Sequence, residues 1–265
     1  MHPVVNIALR AARSASESII HATDRLDRVK VLSSEGHEVI TSMDHDAEKN
    51  LLFHLRKAYP DYSIHSRLSG YLPGKDESNV WLIDPLHRAG NFIHGFNHIC
   101  VTVALKCGDR VLHAVMINPT QAEEFSASRG NGGQLNKQRL RVGRKDTLQQ
   151  ALVSLSGTQP GPEQKDLLLG LQDRLLDADA DLRMTGCPAL DVAYVASGKL
   201  DAGWTNENSE CAMAAARLIL QESGALSSDE NANPAMTGKE MIFGTPRCFK
   251  QLLQIRQSLS HSGVV

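Results

Sequence analysis

Cysteine is scarce and unpatterned. The 265 residues hold five, Cys100, Cys107, Cys187, Cys211 and Cys248, an odd number spaced neither as a zinc knuckle nor as a redox pair. A disulfide-stapled framework is excluded, and a reducing compartment is the expectation. Long apolar runs are missing as well: no stretch approaches the roughly 18 apolar residues of a membrane span. The opening Met-His-Pro-Val-Val-Asn-Ile-Ala-Leu-Arg carries early charge and no apolar core of signal-peptide length, so a cytoplasmic protein is predicted. Charge of one sign is not in excess either. A formal net charge of -2 gives no global electrostatic reason to expect nucleic acid or anionic membrane as a partner. Internal repeats and low-complexity linkers are absent, which excludes a solenoid.

What is present is an ordinary globular composition, 42% hydrophobic and 22% charged. The length suits one large α/β unit or two packed halves. The reading here is two halves, 1–147 and 148–265, meeting near residues 145 to 150 without a flexible tether. From Val4 to about Arg25, the residues Val4, Ile7, Ala8, Ala11, Ala15 and Ile19 recur at helical intervals. Asp44 to Lys57 repeats the pattern with Ala47, Leu51, Leu52 and Leu55, and Asp44 falls where an N-cap belongs. Val80 to Ile83 is a short buried-strand run, and Ile99 to Leu105 with Val111 to Ile117 reads as a hairpin about Gly108-Asp109. Glu123 to Ala127 could add a third strand, and Leu135 to Val142 alternates apolar with basic residues. Further on, Ala151 to Leu155 reads as a strand. Glu163 to Leu176, Ala189 to Ala196, Glu210 to Glu222 and a stripe through Cys248, Leu252 and Ile255 read as helices, with Gly198 and Gly224 as stops.

On the residues alone, the chemistry is open. Glu38 to Asp44 is a strand running into a helix start, where Asp44 is a helix cap or a metal ligand. Asp84-Pro85 ends a buried strand, a place where a rigid carboxylate serves a hard cation or merely turns the chain. His94 and His98 share the i, i+4 interval of a helical metal pair, but Gly95 between them argues against helix and against zinc. Cys211 reads as a thiol nucleophile or as a buried cysteine at a helix start, and Met184, Met213 and Met241 as core filler.

Taken in order, three elements resemble the inositol monophosphatase family: Ile40-Thr41-x-x-Asp44; Trp81-Leu-Ile-Asp84-Pro85-Leu86 with Asn91-Phe92-Ile93; and Gly186-x-x-Ala189-Leu190-Asp191-x-Ala193-Tyr194-Val195-Ala196-x-Gly198. The opening His-Pro-x-x-Asn-Ile-Ala-x-Arg-Ala-Ala-Arg and Glu124-Phe-x-Ala-Ser-Arg-Gly are similar to its bacterial extragenic-suppressor SuhB branch, and the likeness runs from residue 2 to about residue 255. The resemblance implies an α/β fold, a layered α/β/α/β/α sandwich, often dimeric. It also implies a family activity, phosphate monoester hydrolysis with two or three magnesium ions. Such ions take hard oxygen ligands and together stabilise attacking water and leaving oxygen.

Carried across residue by residue, Thr41, Asp44 and Asp84 keep the family's identities, as vestiges of its metal site. The bridging-water glutamate falls in Ile64-His-Ser-Arg-Leu-Ser-Gly70, on Arg67 and Leu68. The second aspartate falls on His87, its glycine on Arg88 and the water-orienting threonine on Ala89. The late Trp-Asp pair falls on Cys211-Ala212, and the glutamate that grips substrate hydroxyls on Thr205. About five carboxylates in the family pattern are thus reduced to two, with two guanidinium groups added. A cation there would meet repulsion. The implication is that no metal is bound, that no cofactor is needed unless magnesium serves a residual activity, and that general-base help worth ~10²- to ~10⁴-fold is missing.

Three readings follow. The first is a catalytically inactive, phosphatase-like regulatory protein; the resemblance implies contacts with RNA polymerase or Nus factors in ribosomal RNA antitermination. The second is a magnesium-dependent inositol-1-monophosphatase, or a related sugar-phosphate phosphatase, with a rearranged site; Thr41, Asp44, Asp84, Asn91 and Asp191 favour it. In the third, Arg67, His87 and Arg88 hold an anion, against the plainer alternative that Arg67 and Arg88 pair with Asp84 and Asp44. Lys137, Arg139, Arg141, Arg144 and Lys145 could touch RNA phosphates or form a solvated strand face, and no aromatic residue interleaves them for base stacking.

Overall fold

The computed structural model describes residues 2–35, 38–157, 162–234 and 240–261. The chain divides into two compact units. The first spans residues 1–139 with 209–222, and the second spans 140–208 with 223–265. The helix over Glu210–Ser223, which sequence order places in the C-terminal half, therefore groups almost entirely with the first unit.

The first unit opens with helix α1 (Pro3–Thr23). Its buried face is built largely from Ala8, Ala11, Ala12 and Ala15 between Val4, Val5, Leu9 and Ile19, small side chains that let the helix backbone lie close to its neighbours. A 3₁₀ turn (Leu26–Arg28) leads to a hairpin of β1 (Val31–Glu35) and β2 (Glu38–Thr41). Helix α2 (Ser42–Ala58) follows directly. Its N-cap is Thr41 and not Asp44: the Thr41 side chain accepts from the Met43 amide, while Asp44 at N3 reaches back to the Thr41 amide, closing a capping box.

An eight-stranded sheet then forms from β3 (Tyr62–Ser66), β4 (Gly70–Leu72), β5 (Asp76–His87), β6 (Cys100–Cys107), β7 (Arg110–Asn118), β8 (Glu123–Ser128), β9 (Gly133–Leu135) and β10 (Gln138–Arg139). Its order is β10-β9-β8-β7-β6-β5-β3-β4. Only the β3–β5 pairing is parallel; the other pairings are antiparallel. A short helix, α3 (Ala89–Ile93), follows β5. Residues of α1, α2 and the central strands share one core, in which Leu51, Leu55, Trp81, Ile83, Val101 and Val115 are fully covered.

The second unit carries a five-stranded sheet in the order β12-β11-β13-β15-β14. Its elements are β11 (Leu152–Leu155), α4 (Pro162–Asp177), β12 (Asp181–Arg183), α5 (Pro188–Ala196), β13 (Ala202–Thr205), β14 (Leu226–Ser228), β15 (Met241–Gly244) and α7 (Pro246–His261); helix α6 is the Glu210–Ser223 element of the first unit. β11 runs parallel to β12 and β13, while β15 runs antiparallel to β13 and β14. Gly198 and Gly224, both in the left-handed region, end α5 and α6 as expected. Trp204 and Arg256 converge on Glu240: Trp204 donates its indole N–H, and Arg256 its Nε at 2.8 Å and Nη2 at 2.6 Å.

Two expectations need correction. The basic alternation over Leu135–Val142 is not a continuous strand: β10 is two residues long, Lys137 sits at φ 69°, and the chain from Leu140 to Arg144 has no regular structure. A left-handed residue breaks the two-residue period that alternation relies on. Met184 is 59% exposed and not core, whereas Met213 and Met241 are fully buried. No helix among the described residues is long and apolar enough to cross a membrane.

Candidate functional site

The strand that delivers Asp84 does more than end in a turn. β5 pairs Asp84 with Thr102 and His87 with Cys100 on β6, so three steps on one strand match two on the other, a bulge at Pro85-Leu86. Proline has no N–H to give the ladder, which makes this a natural place for the extra residue. The bulge restores the two-residue parity between Asp84 and His87, and both side chains face the same way. His87 Nδ1 lies 2.9 Å from Asp84 Oδ2.

Arg67 follows the end of β3 and spans the opening. Its Nε donates to Asp84 Oδ1 at 2.7 Å, its Nη2 to Asp44 Oδ1 at 2.7 Å and its Nη1 to Glu38 Oε1 at 2.7 Å; Nη2 also approaches the Leu86 carbonyl at 3.3 Å. Asp44 and Asp84 are fully buried and Arg67 nearly so, while the Glu38 side chain is 61% exposed. Thr41 completes the set by donating its amide and hydroxyl to Asp44 Oδ2, both at 2.8 Å. Each of the four carboxylate oxygens of Asp44 and Asp84 therefore has a protein partner.

The electrostatics follow this pairing. Burial pushes the Asp84 carboxyl up, but Arg67 and His87 outweigh it and hold the group well below the usual carboxylate range. Burial prevails at Asp44, whose carboxyl lies above its ordinary value in spite of Arg67 and the bonds from Thr41. At Arg67 burial opposes the charge, and Asp84 and Asp44 more than compensate, so the guanidinium holds its proton more firmly than usual.

The loop that carries Arg67 is pinned from α2. Buried Glu48 accepts from the Ser66 hydroxyl, from the Ser69 amide at 3.1 Å and from the Ser69 hydroxyl at 2.6 Å. The Arg67 amide donates to the Ile83 carbonyl at 3.0 Å. Glu38 and Glu48 were not among the residues singled out by sequence. Glu48 stands one helical turn after Asp44 on the same face of α2, and that i, i+4 spacing was the available signal.

The structure thus brings Thr41, Asp44, Arg67, Asp84 and His87 together. Arg88 adopts the backbone that glycine favours: φ is 69°, in the left-handed region, where it caps α3 ahead of buried Ala89. Of the pairing expected of Arg67 and Arg88 with the two aspartates, Arg67 meets both Asp44 and Asp84. Asn91 turns to the chain instead, donating to the His98 carbonyl at 2.8 Å. His94 is the C-cap of α3 and His98 lies beyond it, so the pair shares no helix. Cys211 is buried at the start of α6, where its carbonyl accepts from Thr102 at 3.0 Å. Burial first, then the charges of Asp84 and Glu210, push its thiol up to about 12, which removes it as a nucleophile. Ala212, next to it, is fully buried. In the second unit, Asp191 accepts from Ser156 at 2.5 Å and from Thr185 at 2.8 Å, and Thr205 Oγ1 accepts from the Glu207 amide at 3.0 Å.

No group of three or more His, Cys, Asp or Glu side chains among the described residues is disposed to hold a metal ion. A cleft of about 650 Å³ in the first unit lies along α1, lined by Arg10, Arg13, Glu17, His54, Glu124 and Lys137 among others. None of the Arg67 network lines it, and Arg13 there is clamped by Glu124 at 2.7 and 2.6 Å.

These features can be set beside known proteins. The family model described as "Inositol monophosphatase family" matches residues 1–260. A Pseudomonas aeruginosa protein named Nus factor SuhB is 41% identical over 259 residues, covering 96% of this chain and 95% of its own. The Escherichia coli K12 protein of the same name is 34% identical over 263 residues, 98% of each chain. Among solved structures, the extragenic suppressor protein SuhB from Bartonella henselae superposes with a TM-score of 0.91 at 27% identity, over 97% of this chain and 99% of that one. An inositol monophosphatase from Anabaena, at 22% identity and a TM-score of 0.82 over 96% and 95%, shares the fold. The layered α/β architecture expected from the motifs is therefore the one adopted. With a likeness that runs nearly end to end, the chain belongs to the inositol monophosphatase family, as a homologue of its proteins named Nus factor SuhB.

Proposed function

We propose that this chain is a phosphatase-like protein without effective phosphatase chemistry, retained as a binding and regulatory module. The single observation that carries this reading is Arg67. Its guanidinium lies 2.7 Å from one oxygen of Asp44 and 2.7 Å from one oxygen of Asp84, the two aspartates left from the family pattern. Magnesium needs several hard oxygen ligands turned toward one point and gives up its water reluctantly. Here those oxygens are engaged by a cation that cannot be deprotonated, so the donor set does not fit the ion. Ala89 has no hydroxyl to orient a water, and His87 is committed through Nδ1 to Asp84.

As a Nus factor homologue, the protein acts in this reading within the transcription machinery. Its partners are RNA polymerase or Nus factors during ribosomal RNA transcription in the cytoplasm, and it works as a homodimer. Loss of metal ligands inside the first unit leaves an outer protein-binding surface unaffected. Contact with RNA through Lys137, Arg139, Arg141, Arg144 and Lys145 is a subsidiary part of the proposal, supported by the exposure of Lys137, Arg139, Arg141 and Arg144.

The test has two arms. Pure protein incubated with magnesium and inositol monophosphate should release no phosphate above an Asp84→Asn control, and tagged protein should co-purify with RNA polymerase engaged on a ribosomal leader. Robust turnover that disappears in Asp84→Asn would overturn the reading in favour of a working phosphatase with a rearranged site. Filter binding to the leader that is unchanged after neutralising Arg139 and Arg141 would remove the basic stretch from the account.

A further inference from the structure

Two clefts lie along one face of helix α1, away from the Arg67 network. The helix residues that line the cleft of about 650 Å³ are Asn6, Leu9, Arg10, Arg13, Ser14 and Glu17; they recur every three or four positions and so share a face. A second cleft, of about 310 Å³, lies at the start of α1, where His2 and Val5 meet Ser128, Asn131 and Gln134. The two clefts share Ser126. From His2 to Glu17 the helix wall is roughly 22 Å long, so the site is elongated and not a closed pocket.

Its polar groups are largely unspent. Ser126 on β8 stands directly opposite Gln134 on β9, which puts both side chains on one face of the sheet. Ser126 is 7% exposed, yet neither it nor Gln134 nor Asn6 makes a side-chain hydrogen bond among the described residues. Buried hydroxyls are normally paired, so a partner from outside the chain is what this groove lacks. Arg13 takes both oxygens of Glu124, at 2.7 and 2.6 Å, and so neutralises that carboxylate. Arg10, one turn before Arg13, has no ion-pair partner among the described residues. Lys137 joins the lining from the turn between β9 and β10. Leu135 pairs with Gln138, so Asn136 and Lys137 form a two-residue hairpin loop, with φ of 48° and 69°. Such a loop favours glycine at its second position, and a lysine there carries a backbone cost. Asn136 fixes the loop to β8: its Oδ1 accepts from the Glu124 amide at 2.8 Å, its Nδ2 donates to the Ala122 carbonyl at 3.1 Å, and its amide donates to the Glu124 carbonyl at 2.9 Å. A cation is thus carried on a rigid mount where the turn itself asks for none.

At the other end stands a ring. His2 is exposed, stacks on His113 with ring centroids 4.2 Å apart, and is held by its Nδ1, which accepts from the Val4 amide at 3.3 Å. A ring backed by a second ring is a platform on which a nucleobase stacks. Cations for phosphates, unpaired hydroxyl and amide groups, and an aromatic platform along one groove are the parts of a single-strand track; an acidic peptide would use the cations and leave the rings idle. We infer that the α1 groove binds single-stranded RNA, with Arg10, Arg13 and Lys137 on phosphates, Ser126, Gln134 and Asn6 on ribose hydroxyls, and His2 under a base. The inference rests on the RNA contact proposed above and deepens it, because it moves the track onto α1 and keeps Lys137 alone of the basic stretch. The aromatic group that the basic stretch lacks in sequence is supplied by the fold.

The test is fluorescence anisotropy of a labelled oligouridylate titrated with the full chain over a range of salt concentrations. Three phosphate contacts on a single strand predict a log–log salt slope of about -2 for the wild type. Lys137→Gly gives the hairpin loop the residue it favours, so it should melt no lower than wild type. It should nevertheless bind about fivefold more weakly near 0.1 M salt, with a slope shallower by about 0.7, and Arg10→Gln should do the same. His2→Ser keeps a capping side chain on α1 and removes the ring; affinity should fall on the order of tenfold with the slope unchanged. Unchanged binding in all three variants overturns the inference, and if Arg141→Gln with Arg144→Gln then abolishes binding, the RNA contact survives on the basic stretch alone. Displacement of the oligonucleotide by polyglutamate, with His2→Ser without effect, would assign the groove to an acidic protein segment and overturn the inference as well. Absence of binding by the wild type would sink the RNA contact itself, so the two failures are distinguishable.

Discussion

Replacing Arg67 by methionine is the sharpest perturbation of stability the structure offers. The two buried partners dominate the expected effect. Asp44 and Asp84 are both fully covered, and breaking a buried pair by removing one partner leaves an uncompensated charge worth ~3 to ~5 kcal/mol. Glu38, 61% exposed, adds at most about 1 kcal/mol, and the 3.3 Å approach to the Leu86 carbonyl adds little. Arg67→Met should therefore destabilise the first unit by about 3 to 5 kcal/mol, whereas Glu38→Gln should cost about 1 kcal/mol or less. Asp84→Leu alone should also be strongly destabilising, because it strips Arg67 of one of its two buried carboxylate partners and His87 of its hydrogen-bond partner. Combined with Arg67→Met, however, it removes the charge that the single change leaves stranded. A coupling energy of about 2 kcal/mol is expected for groups in direct contact. The assay is urea unfolding of the four proteins, followed by tryptophan fluorescence and far-ultraviolet circular dichroism, with coincident transitions as the check on two-state behaviour. Trp81 lies in the core of the first unit and reports on it directly. Additivity of the two single changes to within about 0.5 kcal/mol would refute the claim that Arg67 and Asp84 act as one unit.

Three other outcomes follow from the geometry. Glu240→Gln weakens the buried contacts to Arg256 and Trp204, both 7% exposed or less, and should destabilise the second unit by ~3 to ~5 kcal/mol, read from the Trp204 emission. Gly203→Ala puts a Cβ 2.5 Å from the Phe243 ring and 2.6 Å from Ser154 Oγ, an overpacking expected to cost about 1 to 3 kcal/mol in urea unfolding. His113 stacks on His2 at 4.2 Å and meets Ser128 at 2.9 Å; burial first, then the neighbouring His2, lower its pKa. A lowered folded value means the neutral ring is favoured in the fold. Its contribution should be complete above about pH 6.5 and lost as pH falls through the depressed value. Melting temperatures should accordingly drop more between neutral and mildly acid pH for wild type than for His113→Gln.

Much of this was readable from the sequence because the signals are local. The periodic alanines of α1, the Leu51–Leu55 stripe of α2 and the Gly108-Asp109 hairpin turn are set by neighbours a few residues away, and each element formed as expected. The short strands Tyr62–Ser66, Ala202–Thr205 and Met241–Gly244 were not, since serine and histidine interrupt the first and a glycine lies within or at the end of the other two, leaving too short an apolar run to separate strand from loop. Asp44 was read as the cap because cap residues are recognised by type, while the role is assigned by backbone geometry, and Thr41 has it. The Asp84–His87 alignment depends on a bulge defined by the partner strand, which a single strand's sequence does not contain. The Arg67 network joins residues 38, 44, 67 and 84 across three elements and a loop. Motif comparison marked Arg67 as out of pattern and offered Asp84 and Asp44 as partners for Arg67 and Arg88, but that Arg67 meets both aspartates, and Glu38 besides, was decided by the tertiary fold.

The central claim is that the Arg67 guanidinium keeps divalent ions away from Asp44 and Asp84. Anomalous diffraction from crystals of the unmodified protein soaked in manganese tests it most directly. The account predicts no anomalous peak within coordination distance of either aspartate, with the guanidinium density continuous between them. One or more ordered manganese ions seated on Asp84, with Arg67 swung aside, would contradict it.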